Sequence, residues 1–308
     1  MNTMNTQSNA VPEVPLDTRA VAPALMSATR SLYWSVRREI WENRSIYIAP
    51  LAVAGVTLFG FLIATIGRAL STADLAQRRT ILEEPYNFAA LLIMATTFIV
   101  GVFYCLDALH GERRDRSILF WKSLPVSDLT IVLSKASIPL VVLPLLTFAI
   151  TVAMQWIMLL LSTAVLLGSG LSVATLWTHF PLFQMWLILL YHLVVVHGLY
   201  YAPIYGWLLL VSAWARRAAF LWAALPLLAI GVVEKLAFSS SHFAALLGSR
   251  LSGGPEAVDF PPKLSPIHPL THYTPLNFLI SPGLWIGLAL FAVFLAAAVR
   301  LRRYQGPI

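Results

Sequence analysis

The chain has 308 residues, 58% of them hydrophobic and 11% charged, with a formal net charge of +7. A soluble globular domain carries about 45–50% apolar and about 25% charged residues, so these proportions exclude a water-soluble domain and make lipid the solvent for most of the chain. The single cysteine, Cys105, excludes an intrachain disulfide.

Residues 1–28 are polar and proline-containing, with no basic start leading into an apolar core; they predict a disordered cytoplasmic tail and not a signal peptide. In the segment 29–45, Leu32, Val36 and Ile40 recur every four residues beside Tyr33 and Trp41, and Arg30, Arg37, Arg38, Glu39 and Glu42 fill the remaining positions. That period is helical. Too polar to span, basic on one side and aromatic on the other, the segment predicts a helix lying in the membrane interface. A membrane domain at 46–303 follows, with apolar runs of the roughly 20 residues that cross a hydrocarbon core at about 46–66, 88–109, 129–161, 183–213, 218–233 and 280–299. Residues 304–308 form a short C-terminal tail.

Between the second and third runs, in the loop 110–128, stands a charged island, Gly111, Glu112, Arg113, Arg114, Asp115, Arg116 and Ser117. It leads into Ile118, Leu119, Phe120, Trp121, Lys122, Ser123, Leu124 and Pro125. Both charge signs alternating with large apolar residues before a proline stop predict a short amphipathic helix pressed against another protein. Glu112 and Arg116 are spaced as a favourable i,i+4 pair, and Ser127 or Asp128 is placed to cap the third span. Helix, stop and capped span together form a lever able to carry force from a soluble partner into the membrane. The equally simple alternative is an ordinary interfacial loop.

The last loop, 234–279, divides in two. Residues 242–251 read as a short helix, while Pro255, Pro261, Pro262, Pro266, Pro269 and Pro275 forbid a regular helix or central strand beyond it. The apolar residues among those prolines fit a segment that folds over the outer mouth or dips into the bilayer. Such backbone has to be shielded by protein.

Basic residues cluster before the first span (Arg19, Arg30, Arg37, Arg38, Arg44), between the second and third (Arg113, Arg114, Arg116, Lys122, Lys135), after the fourth (Arg216, Arg217) and after the sixth (Arg300, Arg302, Arg303). The positive-inside rule then puts both termini and the 110–128 loop in the cytoplasm. Topology and anionic lipid headgroups account for the basic excess, with no need of nucleic acid.

Several chemistries are missing from the sequence. There is no Gly-Lys dipeptide, hence no P-loop, and neither His-Glu-x-x-His nor Cys-x-x-Cys occurs. His268 and His272 stand four apart around Pro269, a pattern that fits loop packing better than a metal site.

Polar residues inside the spans form two lines. His197, Tyr201 and Tyr205 follow an i, i+4, i+8 spacing in the fourth span, with His192 and Tyr200 nearby, and Thr147, Thr151 and Gln155 do so in the third. Either a translocation surface at a subunit interface or interhelical hydrogen bonding accounts for them, and the second needs fewer assumptions. Asp107 near His110, Arg113 and Arg114 reads as a structural ion pair. Pro139, Pro144, Pro203 and Pro226 interrupt their helices and free backbone carbonyls.

The run from Gly111 to Asp115 followed by Leu124, Pro125, Val126 and Ser127 resembles the acidic-basic run and Leu-Pro-Val-Ser step of the permease subunits of bacterial ATP-binding-cassette exporters of the type-2 branch. The layout is similar along nearly the whole chain. The resemblance implies an all-α integral membrane protein of six transmembrane helices, with 29–45 as an elbow helix, 111–125 as a coupling helix and 234–279 as an external hairpin. It implies two soluble ABC-type ATPase subunits that bind ATP and Mg, no cofactor in this chain, and a pore completed by a second copy or a paralogue in the bacterial inner membrane. ATPase coupling would then fall on Glu112, Arg113, Arg114, Asp115, Arg116, Phe120, Trp121, Leu124 and Pro125. A membrane enzyme with its site at His192, His197 and Tyr201, or a non-transporting scaffold or sensor that docks an ATPase, are the rival readings.

Overall fold

The computed structural model describes residues 28–69, 78–123, 126–168, 182–251 and 279–308. Leu124, Pro125, His268, His272, the N-terminal tail and the proline-rich half of the last loop lie outside the described residues.

Among the described residues six helices are long and apolar enough to span a membrane: Ser45–Thr65, Pro85–Arg114, Asp128–Val165, Leu182–Tyr200, Ala219–Phe238 and Pro282–Tyr304. Named in chain order, the elements are α1 (Ala28–Glu42), α2 (Ser45–Ala69), α3 (Arg78–Ala108), α4 (His110–Arg114), α5 (Ser117–Ser123), α6 (Asp128–Ser137), α7 (Leu143–Gly168), α8 (Leu182–Tyr191), α9 (Ala202–Trp214), α10 (Ala219–Phe238), α11 (His242–Leu251) and α12 (Pro282–Tyr304). A π-helical turn, Ile138–Val142, joins α6 to α7, and a longer one, Ile-free and polar-tipped, covers His192–Tyr200 after α8. The secondary structure of the described residues is therefore all helical, and the chain is a multi-pass membrane protein, as its apolar runs require.

The fourth apolar run departs from the expected single span. It is broken at Tyr201 into a spanning part, Leu182–Tyr200, and a shorter helix, Ala202–Trp214. Pro203 supplies the reason: it has no N–H to give back along the helix, and its ring crowds the preceding turn. The turn before it opens so that Tyr201 N bonds Val196 O at 3.1 Å, five residues back. The other wide turn holds Pro139, and the two turns touch. A Cβ on Gly198 would come within 3.1 Å of the Leu140 carbonyl oxygen, so a side chain there would push the two backbones apart by a few tenths of an ångström.

Two larger apolar clusters fill the described bundle, and a smaller third gathers Val195, Val196, Tyr200 and Leu284. One, around Tyr104, Leu106, Leu109, Val132, Leu143, Tyr205, Leu209 and Leu295, joins α3, α6, α7, α9 and α12 at the end that carries α4 and α5. The second, with Phe61, Tyr86, Ile93, Met154 and Met158, joins α2, α3 and α7 toward the opposite end. The pairing of α9 with α12 is especially close. A Cβ on Gly206 would lie 2.7 Å from the Phe291 ring and 3.4 Å from its Cα. Gly206→Val is accordingly expected to destabilise the protein by about 1–3 kcal/mol through overpacking, read as a lowered temperature of aggregation in detergent.

α10 packs least, with only 11% of its spanning window buried. It enters through a left-handed Ala218 and leaves through a left-handed Ser239. Beyond it α11 forms where a short helix was expected: Glu234 accepts from the backbone N–H of His242 and Phe243 at 2.7 and 2.8 Å, serving as its N-terminal cap. Arg250 then pins α11 to the bundle. Its guanidinium lies over the Tyr200 ring at 4.3 Å and donates to the carbonyls of Tyr200 and Gly283.

Candidate partner-docking end and polar interior

The charged island lies at the end of the bundle where α1, α6, α9 and α12 also end, and it is two short helices instead of one. α4 stops at Arg114, Asp115 caps it, and Arg116 adopts φ 59° before α5 begins. A left-handed arginine costs about 1–2 kcal/mol relative to a helical one, so a continuous helix must be worth less here than the turn. What the turn gains is the placement of Glu112.

Glu112 points inward. Its carboxylate lies 3.1 Å from Lys135 Nζ and accepts from Arg302. Lys135 Nζ also donates to Glu39 Oε1 at 2.8 Å, Glu39 accepts from Tyr104 Oη at 2.8 Å, and Arg302 Nε stands 3.2 Å from Asp128. The side chains of Lys135 and Arg302 are 4% and 2% exposed. One cluster thus ties α1, α3–α4, α6 and α12 together.

The expected Glu112–Arg116 pair is replaced by these contacts, for an energetic reason. A surface i,i+4 pair is worth a few tenths of a kcal/mol, whereas a buried cation left without its carboxylate costs several. The sequence did contain a signal. Lys135 is the seventh residue of the third apolar run, inside the span and not in the loop before it, and an ionisable residue at that depth requires a partner. Glu39 likewise stands next to Ile40 on the apolar line of α1.

Arg113 is also inward-facing. It donates to the carbonyls of Ala213 at 2.6 Å and Ala215 at 3.2 Å, closing the C-terminal end of α9 as a basic side chain does. Its own carbonyl accepts from Ile308 N at 3.2 Å. Ser212 Oγ accepts from the backbone N–H of Leu109 and His110 at 3.0 and 2.9 Å. The residues after α12 fold back onto the same region, where Lys122 Nζ donates to the Gln305 carbonyl at 2.9 Å. Asp107 forms the expected ion pair, with Arg114 at 3.7 Å, and Ser127 caps α6 by accepting from Thr130 N at 3.1 Å.

The outward residues of the island are Arg114, Asp115 and Arg116 on α4 and the turn, and Leu119 and Phe120 on α5, 56% and 59% exposed. Trp121 faces α1, with the Arg38 guanidinium 3.2 Å from its ring centroid. The docking element expected from sequence therefore divides. Glu112, Arg113 and Trp121 hold it to the bundle, while Arg114, Asp115, Arg116 and Phe120, with Leu119, form the free face.

On α1 the expected separation of basic and aromatic sides is not found. Arg37 lies between the Trp34 and Trp41 rings, 5.2 and 5.3 Å from their centroids, because positions three and four apart share one helix face. The opposite face carries Val36 and Ile40 against the bundle and Glu39 into the ion cluster.

The polar lines of the spans turn toward the interior of this same chain. Thr147, Thr151, Gln155, His197 and Tyr205 are all buried. Thr147 shares a 2.6 Å hydrogen bond with Thr97, Trp186 Nε1 donates to Gln155 Oε1 at 2.7 Å, and Tyr205 Oη lies 3.0 Å from His197 Nε2. Tyr201 is the exception: half-buried, it donates to the Leu251 carbonyl at 3.2 Å. Phe98 packs against His197, Tyr201 and Tyr205. Thr147→Val should cost only about 0.6 kcal/mol, since Thr97 keeps its bond to the Ile93 carbonyl at 2.9 Å; a thermal-stability loss beyond about 2 kcal/mol would show a role larger than helix gluing.

Comparison with protein-family models, with curated proteins and with solved structures returned no match to this chain.

Proposed function

We propose that this chain is the membrane subunit of an exporter driven by a separate soluble ATPase, in the manner of the type-2 ABC permeases that its 111–127 segment resembles. One observation carries the reading: an outward face of mixed charge and two large apolar side chains, Arg114 to Phe120, is mounted on a buried ion cluster that reaches α1, α6 and α12. A loop with no mechanical duty has no need of such a mount. Force applied at Leu119 and Phe120 would pass through Glu112 to Lys135 at the start of the third span and to Arg302 at the end of the sixth.

In this reading the termini and the α4–α5 face are cytoplasmic, in a bacterial inner membrane, which agrees with the clustering of arginines at that end. ATP and Mg are handled by the partner, and a second copy or paralogue completes the pore. The burial of Thr147, Gln155, His197 and Tyr205, each hydrogen-bonded to a side chain of this same chain, favours helix association over a substrate surface for those residues.

The test is purification of the tagged chain from native membranes in mild detergent, with mass spectrometry of what accompanies it. A soluble P-loop ATPase at about one copy per chain supports the proposal. Its absence from several detergents in which the chain stays folded counts against the proposal and turns attention to the scaffold and enzyme readings.

A further inference from the structure

We infer that the outward face of α1 is a binding site for anionic phospholipid headgroups, centred on the Arg37 guanidinium held between Trp34 and Trp41. The inference stands apart from any ATPase and needs only that the chain spans a membrane. α1 ends at Glu42 and the first span begins at Ser45, so this face is fixed at the depth where hydrocarbon gives way to headgroups.

Its charges are unmatched. Both carboxylates of α1 are engaged elsewhere: Glu42 holds Arg38 at 2.6 Å, and Glu39 is committed to Lys135 and Tyr104. Among the described residues no carboxylate stands within ion-pair distance of Arg30, Arg37 or Arg44, all three of them exposed. Three positive charges thus face outward together with Tyr33, Trp34 and Trp41, the last 69% exposed.

Chemistry narrows the ligand. Tyr and Trp, apolar in body with one polar tip, concentrate at bilayer interfaces. Lying over two indole rings at 5.2 and 5.3 Å, within cation–π range, the Arg37 guanidinium keeps N–H edges that fit two phosphate oxygens at once. The indole faces turned to Arg37 are thereby denied to the quaternary ammonium of a choline headgroup, which the three arginines also repel. A phosphate without an attached cation is the better match, so the face should prefer phosphatidylglycerol to phosphatidylcholine.

The experiment is native mass spectrometry of the purified full-length protein, stripped to a constant lipid baseline and titrated with phosphatidylglycerol or phosphatidylcholine of identical acyl chains. Wild type should take up the first lipid about tenfold more tightly. Arg37→Gln should weaken phosphatidylglycerol binding about fivefold, the worth of one basic residue at an anionic surface, and leave phosphatidylcholine unchanged. Arg44→Gln, which removes an exposed charge with no ion-pair partner among the described residues, should act alike and covers the case in which Arg37→Gln is unstable. Lys235→Gln, on α10, should change nothing. Equal affinity for the two lipids in wild type, or phosphatidylglycerol binding unaltered in both arginine variants, would overturn the assignment.

Discussion

Replacing Lys135 with Met is expected to lower stability by about 3–5 kcal/mol, the usual consequence of removing one member of a buried ion pair. Lys135 Nζ is the cation shared by Glu39 at 2.8 Å and Glu112 at 3.1 Å. Without it, two carboxylates remain in a site closed to water, and only Arg302 is left to face Glu112. Arg302 is itself shared with Asp128. Thermal unfolding in detergent, followed by size-exclusion chromatography, is the measurement. Lys135→Arg should lose much less, since the charge survives although the fit does not. Adding Glu39→Gln to Lys135→Met should restore part of the loss, because one orphaned charge disappears; that non-additivity separates an ion cluster from a simple packing defect. A Lys135→Met protein as stable as wild type would mean that water reaches the cluster.

The cluster also shows which features a single sequence exposes and which it hides. The spans were legible because about 20 apolar residues in a row have few alternatives, and the observed limits, such as Ser45–Thr65 and Ala219–Phe238, lie within a few residues of the runs. Ser127 as a cap and the helix at His242–Leu251 were legible because caps and short helices are local. The inward turn of Glu112 was not, because its partners are distant along the chain: Lys135 contacts Glu39 across 96 residues and Arg302 contacts Glu112 across 190. Spacing rules see i+4 and offered Arg116 instead. The break at Tyr201 was half visible. Pro203 announced an interruption, but hydropathy runs on unchanged through Ala202–Trp214. As for the polar lines, the i, i+4, i+8 spacing of His197, Tyr201 and Tyr205 identifies a helix face and says nothing about which chain that face meets; the Tyr205–His197 and Thr97–Thr147 bonds could be found only in three dimensions.

The division of the 111–125 segment into a mount and a free face decides how its coupling role must be tested. Glu112→Lys, the obvious charge reversal from sequence, is a poor probe: it would bring a third cation against Lys135 and Arg302 in a buried site and should fail by unfolding, whether or not a partner docks there. Leu119→Asp together with Phe120→Asp changes only exposed positions, where substitutions usually shift stability by no more than about 0.5 kcal/mol. If an ATPase seats on this face, both apolar contacts are lost and two like charges are introduced. Copurified ATPase should then fall at least tenfold while the thermal midpoint stays with wild type. Retention of the ATPase by a stable double variant would place the docking surface elsewhere at that end of the bundle, and the ion cluster would then serve to brace the helix ends and not to transmit force. Loss of the ATPase together with a normal midpoint would make Arg114, Asp115 and Arg116 the next positions to reverse, since all three are exposed on that face and none belongs to the buried ion cluster.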